Sequence, residues 1–221
     1  MDFSWTTIII IILLIIIVYF AWTMFSSSST TVSSGGLDAS KPTPITVTGA
    51  YSFTISTWLY VNNWNTATKT IVSTPPEAKA GTQFILTLGT SDNNLYVNVG
   101  GQSIPVTGTS TISIPLQTWA SIIATVNNGN SLDIYINGKL VQTTALTSTY
   151  GLPAGTLNVG GGIDGYISST FDTSTFGPQD AWNTYSSGYG SSGSSVSDFF
   201  NKYKVRFAFV KDNVELSRLD I

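Results

Sequence analysis

Residues 119–141 read WASIIATVNNGNSLDIYINGKLV, and this stretch decides the fold class. Two runs rich in β-branched residues flank Asn127-Asn128-Gly129-Asn130, and Asn137-Gly138 separates the second run from a third. Asn-Gly favours a two-residue hairpin turn of type I′ because both central positions need positive φ. The stretch therefore predicts consecutive antiparallel strands.

The same pattern continues on both sides of this stretch. Short segments rich in Val, Ile, Thr and aromatic residues are punctuated by Asn, Gly and Pro about every ten residues, which is typical of a β-sandwich. The predicted strands are 45–49, 51–61, 69–74, 83–89, 94–99, 110–114, 119–126, 131–137, 139–146, 155–160 and 163–171. We therefore predict an all-β, antiparallel sandwich over 45–187.

The second predicted strand is apolar on both faces. One face holds Tyr51, Phe53, Ile55, Leu59 and Val61, and the other holds Trp58 and Tyr60. Because successive side chains in a strand point to opposite faces, this pattern predicts a sheet that is covered on both sides. We expect Trp58, Trp119 and Tyr135 to pack in the core.

The N-terminal region carries an uncharged run. Residues 8–25 read IIIIILLIIIVYFAWTMF, about 27 Å as a helix against a hydrocarbon core of about 30 Å. Aromatic rings lie toward its ends, where they prefer the headgroup level. We predict one transmembrane helix over 1–25 that anchors the chain in the lipid bilayer through Trp5, Ile8, Ile12, Ile16, Tyr19 and Trp22.

A cleaved signal peptide is the alternative for this run. Such signals have a basic start and a shorter apolar core of about 7–15 residues, whereas this sequence starts with Asp2 and has the longer run. The nearest basic residue is Lys41, so the positive-inside rule gives no orientation. The sequence thus favours a retained single-pass anchor of undetermined sidedness.

Two polar segments separate the predicted units. A Ser/Thr/Gly/Pro-rich stretch at 26–44 and a Gly/Ser-rich stretch at 188–201 bury too little apolar surface to fold alone, so we predict flexible links. Residues 202–221 predict a C-terminal hairpin around Lys211-Asp212-Asn213. An unpaired strand edge there could bind other proteins, and the candidate edge residues are Tyr203, Val205, Phe207 and Phe209.

Three stretches resemble the laminin G-like or concanavalin A-like jelly rolls. They are 53–58 (FTISTW), the tryptophan-led strand and Tyr-x-Asn-Gly-Lys hairpin of 119–141, and 157–167 (LNVGGGIDGYI). The resemblance covers roughly 45–190 and implies a jelly-roll β-sandwich. It also implies a short helical turn in 176–185, where Pro178 suits the first helical position.

A second resemblance concerns the architecture. An N-terminal anchor on a cysteine-free domain of this kind is similar to membrane or capsid-associated proteins of large double-stranded DNA viruses with an internal lipid layer. That resemblance implies a minor capsid or virion membrane component that contacts other structural proteins, including capsid proteins. It favours a membrane-anchored structural or interaction protein, located at the virion's internal membrane.

The residue inventory argues against catalysis. The chain has no histidine and no cysteine, so the usual nucleophile pairs and His- or Cys-based metal sites are missing. Glycosidases need paired carboxylates about 5–9.5 Å apart, and the only glutamates, Glu77 and Glu215, are distant in sequence. A net charge of −3 with scattered basic residues also predicts no nucleic-acid binding.

Calcium binding and carbohydrate binding are the two binding hypotheses that stay open, and calcium is taken first. Jelly rolls of this kind often hold Ca²⁺, which takes 6–8 oxygen ligands; the candidates are Asp92, Asp164 and Asp172, although each also suits a turn or a solvated strand position. We therefore expect no cofactor. Gly160-Gly161-Gly162 predicts a tight turn rather than a phosphate loop.

The alternative function is a membrane-tethered, lectin-like module that binds carbohydrate. Exposed aromatic rings can stack on sugar faces while amides and carboxylates bind hydroxyls. Candidate rings lie outside the residues predicted for the core. They are Trp64, Tyr96, Tyr150 and Tyr189.

Overall fold

The computed structural model describes 36–79, 81–106 and 113–190, together with Ile12, Ile15 and the backbone of 29–31, 206–211 and 214–220. In chain order the strands are β1 Ser29–Thr31, β2 Leu37–Asp38, β3 Thr43–Val47, β4 Phe53–Asn63, β5 Lys69–Ser73, β6 Phe84–Leu88, β7 Leu95–Val99, β8 Gln102–Pro105, β9 Ala120–Asn127, β10 Ser131–Ile136, β11 Lys139–Ala145, β12 Gly155–Val159, β13 Asp164–Asp172, β14 Arg206–Lys211 and β15 Val214–Asp220. Helix α1, Pro178–Ser187, follows β13.

Two antiparallel sheets form the sandwich. The first has the order β1-β13-β4-β9-β10-β11 with β2 also paired to β13, and the second has the order β3-β12-β5-β6-β7-β8. The core lies between them, where the ring of Phe53 from the first sheet is 5.6 Å from that of Phe84 in the second. The predicted all-β antiparallel sandwich is confirmed.

The hairpin stretch that decided the fold forms as predicted. Strand β10 pairs antiparallel with both β9 and β11. Asn137 and Gly138 have φ of +49° and +74°, and Asn128 and Gly129 have φ of +49° and +68°. The positive φ values explain why Asn and Gly stand at both turns.

The strand prediction for 110–114 is not matched by a strand among the described residues. Residues 107–112 lie outside them, and Ser113 makes only an isolated bridge to Asn94. Strand β8, which was not predicted, pairs with β7 at the sheet edge instead. Only Ile104 and Val106 are buried in this segment, so it is too short to show a clear alternation of buried and exposed residues.

Trp58 and Trp119 do not pack in the core as predicted. Both are half-buried on the outer face of the first sheet, where the Trp58 ring stacks on Tyr185 with centroids 6.2 Å apart. Tyr135 is buried, but in a second cluster on that outer face under α1 and not between the sheets; the cluster holds Ile123, Tyr135 and Ala181, with Phe176 against it. Helix α1 thus covers part of the outer face, as the two-faced apolar pattern required.

The segment predicted as a flexible link at 26–44 contributes to the sandwich. Strand β1 pairs with Thr170–Asp172 of β13, and β2 pairs with its residues 166 and 167. Ala39 is fully buried and receives hydrogen bonds at its carbonyl oxygen from the amides of Gly161 and Ile163, at 2.9 and 3.3 Å. The backbone of this segment makes these contacts. Backbone contacts do not appear in a side-chain pattern, so the polar composition alone predicted a flexible link.

The N-terminal and C-terminal predictions fall largely beyond the described residues. None of the helices that the described residues form is both long and apolar enough to span a bilayer. Of the predicted anchor, Trp5, Ile8, Ile16, Tyr19 and Trp22 lie outside the described part, and Ile12 is helical.

The C-terminal strands have a described backbone. Strand β14 pairs antiparallel with β15 in a separate two-stranded sheet. Of the candidate partner edge, Tyr203 and Val205 lie outside the described residues, and Phe207 and Phe209 stand in β14. The proposed partner edge stays a prediction.

Candidate functional site

An open cleft of about 530 Å³ with several polar side chains lies at one end of the sandwich. It lies where β4 ends, where β13 begins, and where the turn after β2 crosses the first sheet. Strand pairing therefore brings distant parts of the sequence to one place. The residues that line it are Asp38, Ser40, Asn62, Asn65, Ala67, Gly162, Ile163, Asp164, Gly165 and Tyr166.

An irregularity in the β4–β13 pairing aims amide side chains at Asp164. The register shifts between Asp164 and Gly165, so Asp164 pairs with Asn63 and Gly165 with Val61. Such a bulge redirects side chains at the end of a strand. The amides of Asn62 and Asn63 consequently donate to the two carboxylate oxygens of Asp164, at 3.4 and 3.0 Å.

Gly165 makes this close pairing possible. A Cβ on Gly165 would lie 1.9 Å from the carbonyl oxygen of Tyr60. The carbonyl oxygen of Gly165 also accepts a hydrogen bond of 3.0 Å from the amide of Ala39. A side chain at this position would push β4 away from β13.

Asp38 brings a second carboxylate to the cleft. It pairs with Tyr166 across β2 and β13, and its Oδ1 accepts a 2.9 Å hydrogen bond from the amide of Ser40. That backbone hydrogen bond, aided by the Ser40 side chain and by nearby Lys41, lowers the pKa of Asp38 below its ordinary value. The Asp38 side chain is therefore a carboxylate at neutral pH.

The opposite wall is the 64–68 loop, which connects β4 and β5. Asn65 donates from its side-chain amide to the carbonyl oxygen of Gly162 at 3.2 Å and accepts at its Oδ1 from the amide of Ala67 at 3.1 Å. Gly162 has φ of +71°, and a Cβ there would lie 2.2 Å from the carbonyl oxygen of Thr68. The glycine run supports this wall and connects β12 in the second sheet to β13 in the first. It is not the predicted tight turn, because its amides donate to carbonyl oxygens of the distant segments 39–40 and 71.

Tyr166 supplies an aromatic surface at the mouth of the cleft. Its side chain is 49% exposed, and its ring centroid is 6.4 Å from that of Tyr60 on the neighbouring strand. Tyr60 is in turn 5.4 Å from Trp119. The ring of Tyr166 is thus held by other rings and still open to solvent.

The four aromatic residues predicted to bind sugar do not line the cleft. Trp64 donates from Nε1 to the carbonyl oxygen of Thr90, and Tyr96 donates to Asp92. Tyr150 is buried in the core, where burial raises its pKa above the ordinary value. The Tyr189 ring is stacked on Trp119 at 3.6 Å between centroids. None of these four rings is therefore among the residues that line the cleft.

The three aspartates considered for Ca²⁺ stand apart. Asp164 lies in the cleft, while Asp172 at the other end of β13 accepts hydrogen bonds of 2.7 Å from the amide and hydroxyl of Ser174. Asp92 accepts a hydrogen bond from the amide of Asn94 at 3.0 Å. No group of three or more acidic residues that could hold a metal occurs among the residues that the structure describes.

Sequence reasoning missed most of the cleft. Asp38 was placed in a link, and Asn62, Asn65 and Tyr166 were not singled out. One signal was present: the run Asn62-Asn63-Trp64-Asn65 ends a strong strand with three side-chain amides, which places hydrogen-bonding groups together at one edge of the sheet. The pairing of β2 with β13 leaves no comparable signal.

The comparisons with known proteins agree with this fold. Residues 33–176 match the profile of the concanavalin A-like lectin/glucanases superfamily, and the chain belongs to that superfamily. No curated protein matches the sequence. The match begins in the segment that was predicted as a link, in accord with the strands found there.

Solved structures extend the comparison. Domain 4 of AbnA, a GH43 extracellular arabinanase from Geobacillus stearothermophilus in complex with arabinotriose, is 14% identical with a TM-score of 0.52, covering 72% of this chain and 81% of that one. The binding domain of botulinum neurotoxin DC in complex with rat synaptotagmin II is 20% identical with a TM-score of 0.45, covering 62% of this chain. This chain spans only 35% of that neurotoxin chain. The likeness to the arabinanase domain shows a shared fold. Neither structure shows the predicted likeness to virion proteins.

Proposed function

We propose that this protein is a carbohydrate-binding module and that its ligand occupies the cleft between Asp38, Asp164 and Tyr166. The observation that carries the proposal is the convergence of two carboxylates and two side-chain amides beside a half-exposed ring. Carboxylates and amides bind hydroxyl groups, and an aromatic ring packs on the apolar face of a sugar. The cleft volume of about 530 Å³ suits a small ligand or one unit of a longer chain.

The charge of the cleft narrows the class of carbohydrate. Among the described residues that line it are two aspartates and no lysine or arginine. The hydrogen bond from the Ser40 amide keeps Asp38 ionised. A sugar that carries carboxylate or sulfate would be repelled, so the proposed ligand is a neutral sugar.

We propose binding without hydrolysis. A glycosidase needs one carboxylic acid whose pKa is raised so that it can protonate the leaving group. The pKa of Asp38 is lowered instead, so Asp38 does not suit the role of that acid. A reducing-sugar assay with any glycan that binds should therefore show no release of product.

A glycan array tests the proposal. The full-length chain, held in a detergent without a sugar headgroup, should retain neutral glycans, and arabinotriose is the first soluble probe because the arabinanase domain was solved with it. Excess arabinotriose or another retained glycan should compete with the array. Retention of no glycan, or of sulfated glycans alone, would contradict the proposal.

The structure also supports a polarity for the predicted anchor. Only three residues separate the apolar run, which ends at Phe25, from β1, and β1 pairs with the Asp172 end of β13. The cleft lies at the Asp164 end, eight residues away, or about 26 Å along the strand. We propose that the anchor holds the sandwich with its cleft pointing away from the bilayer.

Single cysteines can test this polarity because the chain has none of its own. Thr173→Cys and Lys41→Cys place exposed reporters at the anchor end and the cleft end respectively. In liposomes, a headgroup-bound quencher should quench a fluorophore at Thr173→Cys more strongly than one at Lys41→Cys. Equal quenching, or the reverse order, would contradict the polarity.

The structural role in a virion takes second place. It was predicted from the anchor and the composition, whereas the cleft is a feature of the described residues. The two functions differ in one observable, glycan retention, because a purely structural protein is not expected to bind a sugar. The array therefore separates them.

A further inference from the structure

A buried lysine lies behind one wall of the cleft. The Lys69 side chain is fully buried, and its Nζ donates to the carbonyl oxygens of Asn65 at 2.5 Å, Ala67 at 3.0 Å and Thr90 at 3.4 Å. The same Nζ lies 4.1 Å from the centroid of the Trp64 ring. Three N–H donors thus meet three backbone carbonyls and one aromatic face.

Such an environment is costly for an ammonium group. Burying a charge is unfavourable unless it is paired or fully hydrogen-bonded, and here neutral oxygens satisfy it. Desolvation lowers the pKa of Lys69 from its ordinary value, which reflects that cost. Because an apolar side chain would fill this space without that cost, the ammonium of Lys69 points to a role beyond packing the core.

Two of the three carbonyls belong to the cleft wall. Asn65 and Ala67 both line the cleft and both lie in the 64–68 loop. The ammonium therefore fixes the backbone of this loop at two points. Trp64 joins the arrangement through its hydrogen bond to Thr90, the third carbonyl that contacts Nζ.

From this geometry we infer that Lys69 is a positioning residue: its ammonium is a built-in cation that organises the cleft wall, so that ligand binding needs no divalent metal. The inference rests on the proposed function for its effect on binding. Backbone carbonyls are also ligands for Ca²⁺. The covalently attached ammonium does what a bound metal ion would do at a cluster of carbonyls.

Chemical rescue tests the inference. Lys69→Ala removes three carbons and the ammonium, a gap that propylammonium matches. In the full-length Lys69→Ala chain, amide hydrogen exchange in the 64–68 loop should rise at least tenfold and arabinotriose affinity should fall at least about tenfold, because fixing one loop residue on binding costs that much entropy. Millimolar propylammonium should restore both, and uncharged propan-1-ol should restore neither.

Matched controls keep the result decisive. Lys79→Ala, at an exposed lysine, should change neither readout, and EDTA should leave the unmodified chain's affinity unchanged. If Lys69→Ala does not fold, Lys69→Met is the second variant. It keeps the apolar part of the side chain and should still raise amide hydrogen exchange in the 64–68 loop.

Two results would overturn the inference. One is that the amides of the 64–68 loop exchange as slowly in both Lys69 variants as in the unmodified chain. The other is that the unmodified chain stops binding the glycan in EDTA. The two proposals can fail separately. If the unmodified chain binds no arabinotriose, the affinity readout fails together with the proposed function, and hydrogen exchange in the 64–68 loop still decides the role of Lys69.

Discussion

Replacing Asp164 by alanine should weaken carbohydrate binding much more than it weakens the fold. The carboxylate accepts amide hydrogen bonds from Asn62 and Asn63 at the cleft. A hydrogen bond from a ligand hydroxyl to a charged group contributes about 1.5–3 kcal/mol, and every 1.4 kcal/mol or so is tenfold in affinity. We therefore expect a loss of roughly 10- to 150-fold. Because Asp164 is only half-buried, water can replace it as the partner of the Asn62 and Asn63 amides, so its cost to folding should be about 0.5–1.5 kcal/mol.

Asp172→Ala is the matched control for this prediction. Asp172 belongs to the same strand and also accepts two hydrogen bonds, from Ser174, but it stands at the opposite end of β13. Isothermal titration calorimetry with the retained glycan and thermal unfolding should be measured for both variants. Equal affinities in the two variants would refute the assignment of the ligand to the cleft.

Three further predictions concern stability. Ser169→Ala leaves the buried hydroxyl of Thr57 without its 2.8 Å partner and should cost about 1–3 kcal/mol, while adding Thr57→Val should recover most of it; a double-mutant cycle by urea unfolding checks this. Gly165→Ala should cost at least about 2 kcal/mol because its Cβ meets the backbone of β4, whereas Gly177→Ala, whose Cβ meets only a carboxylate oxygen at 3.7 Å, should cost less in the same assay. Burial raises the pKa of Tyr150, so the stability it contributes is complete below its ordinary pKa near 10 and is lost as pH rises further. The stability advantage of the unmodified chain over Tyr150→Phe should therefore shrink between about pH 8 and about pH 11, and a constant difference would contradict this.

Local patterns were enough to predict the sandwich. The period-two alternation of 119–141 and its Asn-Gly turns act between residues that are close in sequence, so the antiparallel hairpins could be read directly. These features account for β9, β10 and β11 of the first sheet.

Long-range pairing placed the remaining features. Alternation shows that Trp58 lies opposite Phe53 and Ile55, yet it does not show which face becomes the core. The second sheet decides that by packing on the Phe53 face, while α1 covers part of the other face. The cleft needs Asp38 and Asp164 together, and only the pairing of β2 with β13 brings them to one end of the sheet. Backbone pairing of this kind leaves little trace in side-chain patterns.

A structure of the full-length chain with the glycan selected by the array, arabinotriose being the first to try, tests the central claim most directly. We predict one sugar ring against the face of Tyr166, with hydroxyl groups within hydrogen-bond distance of the carboxylates of Asp38 and Asp164. A glycan bound elsewhere on the sandwich, with the cleft holding only water, would contradict the account.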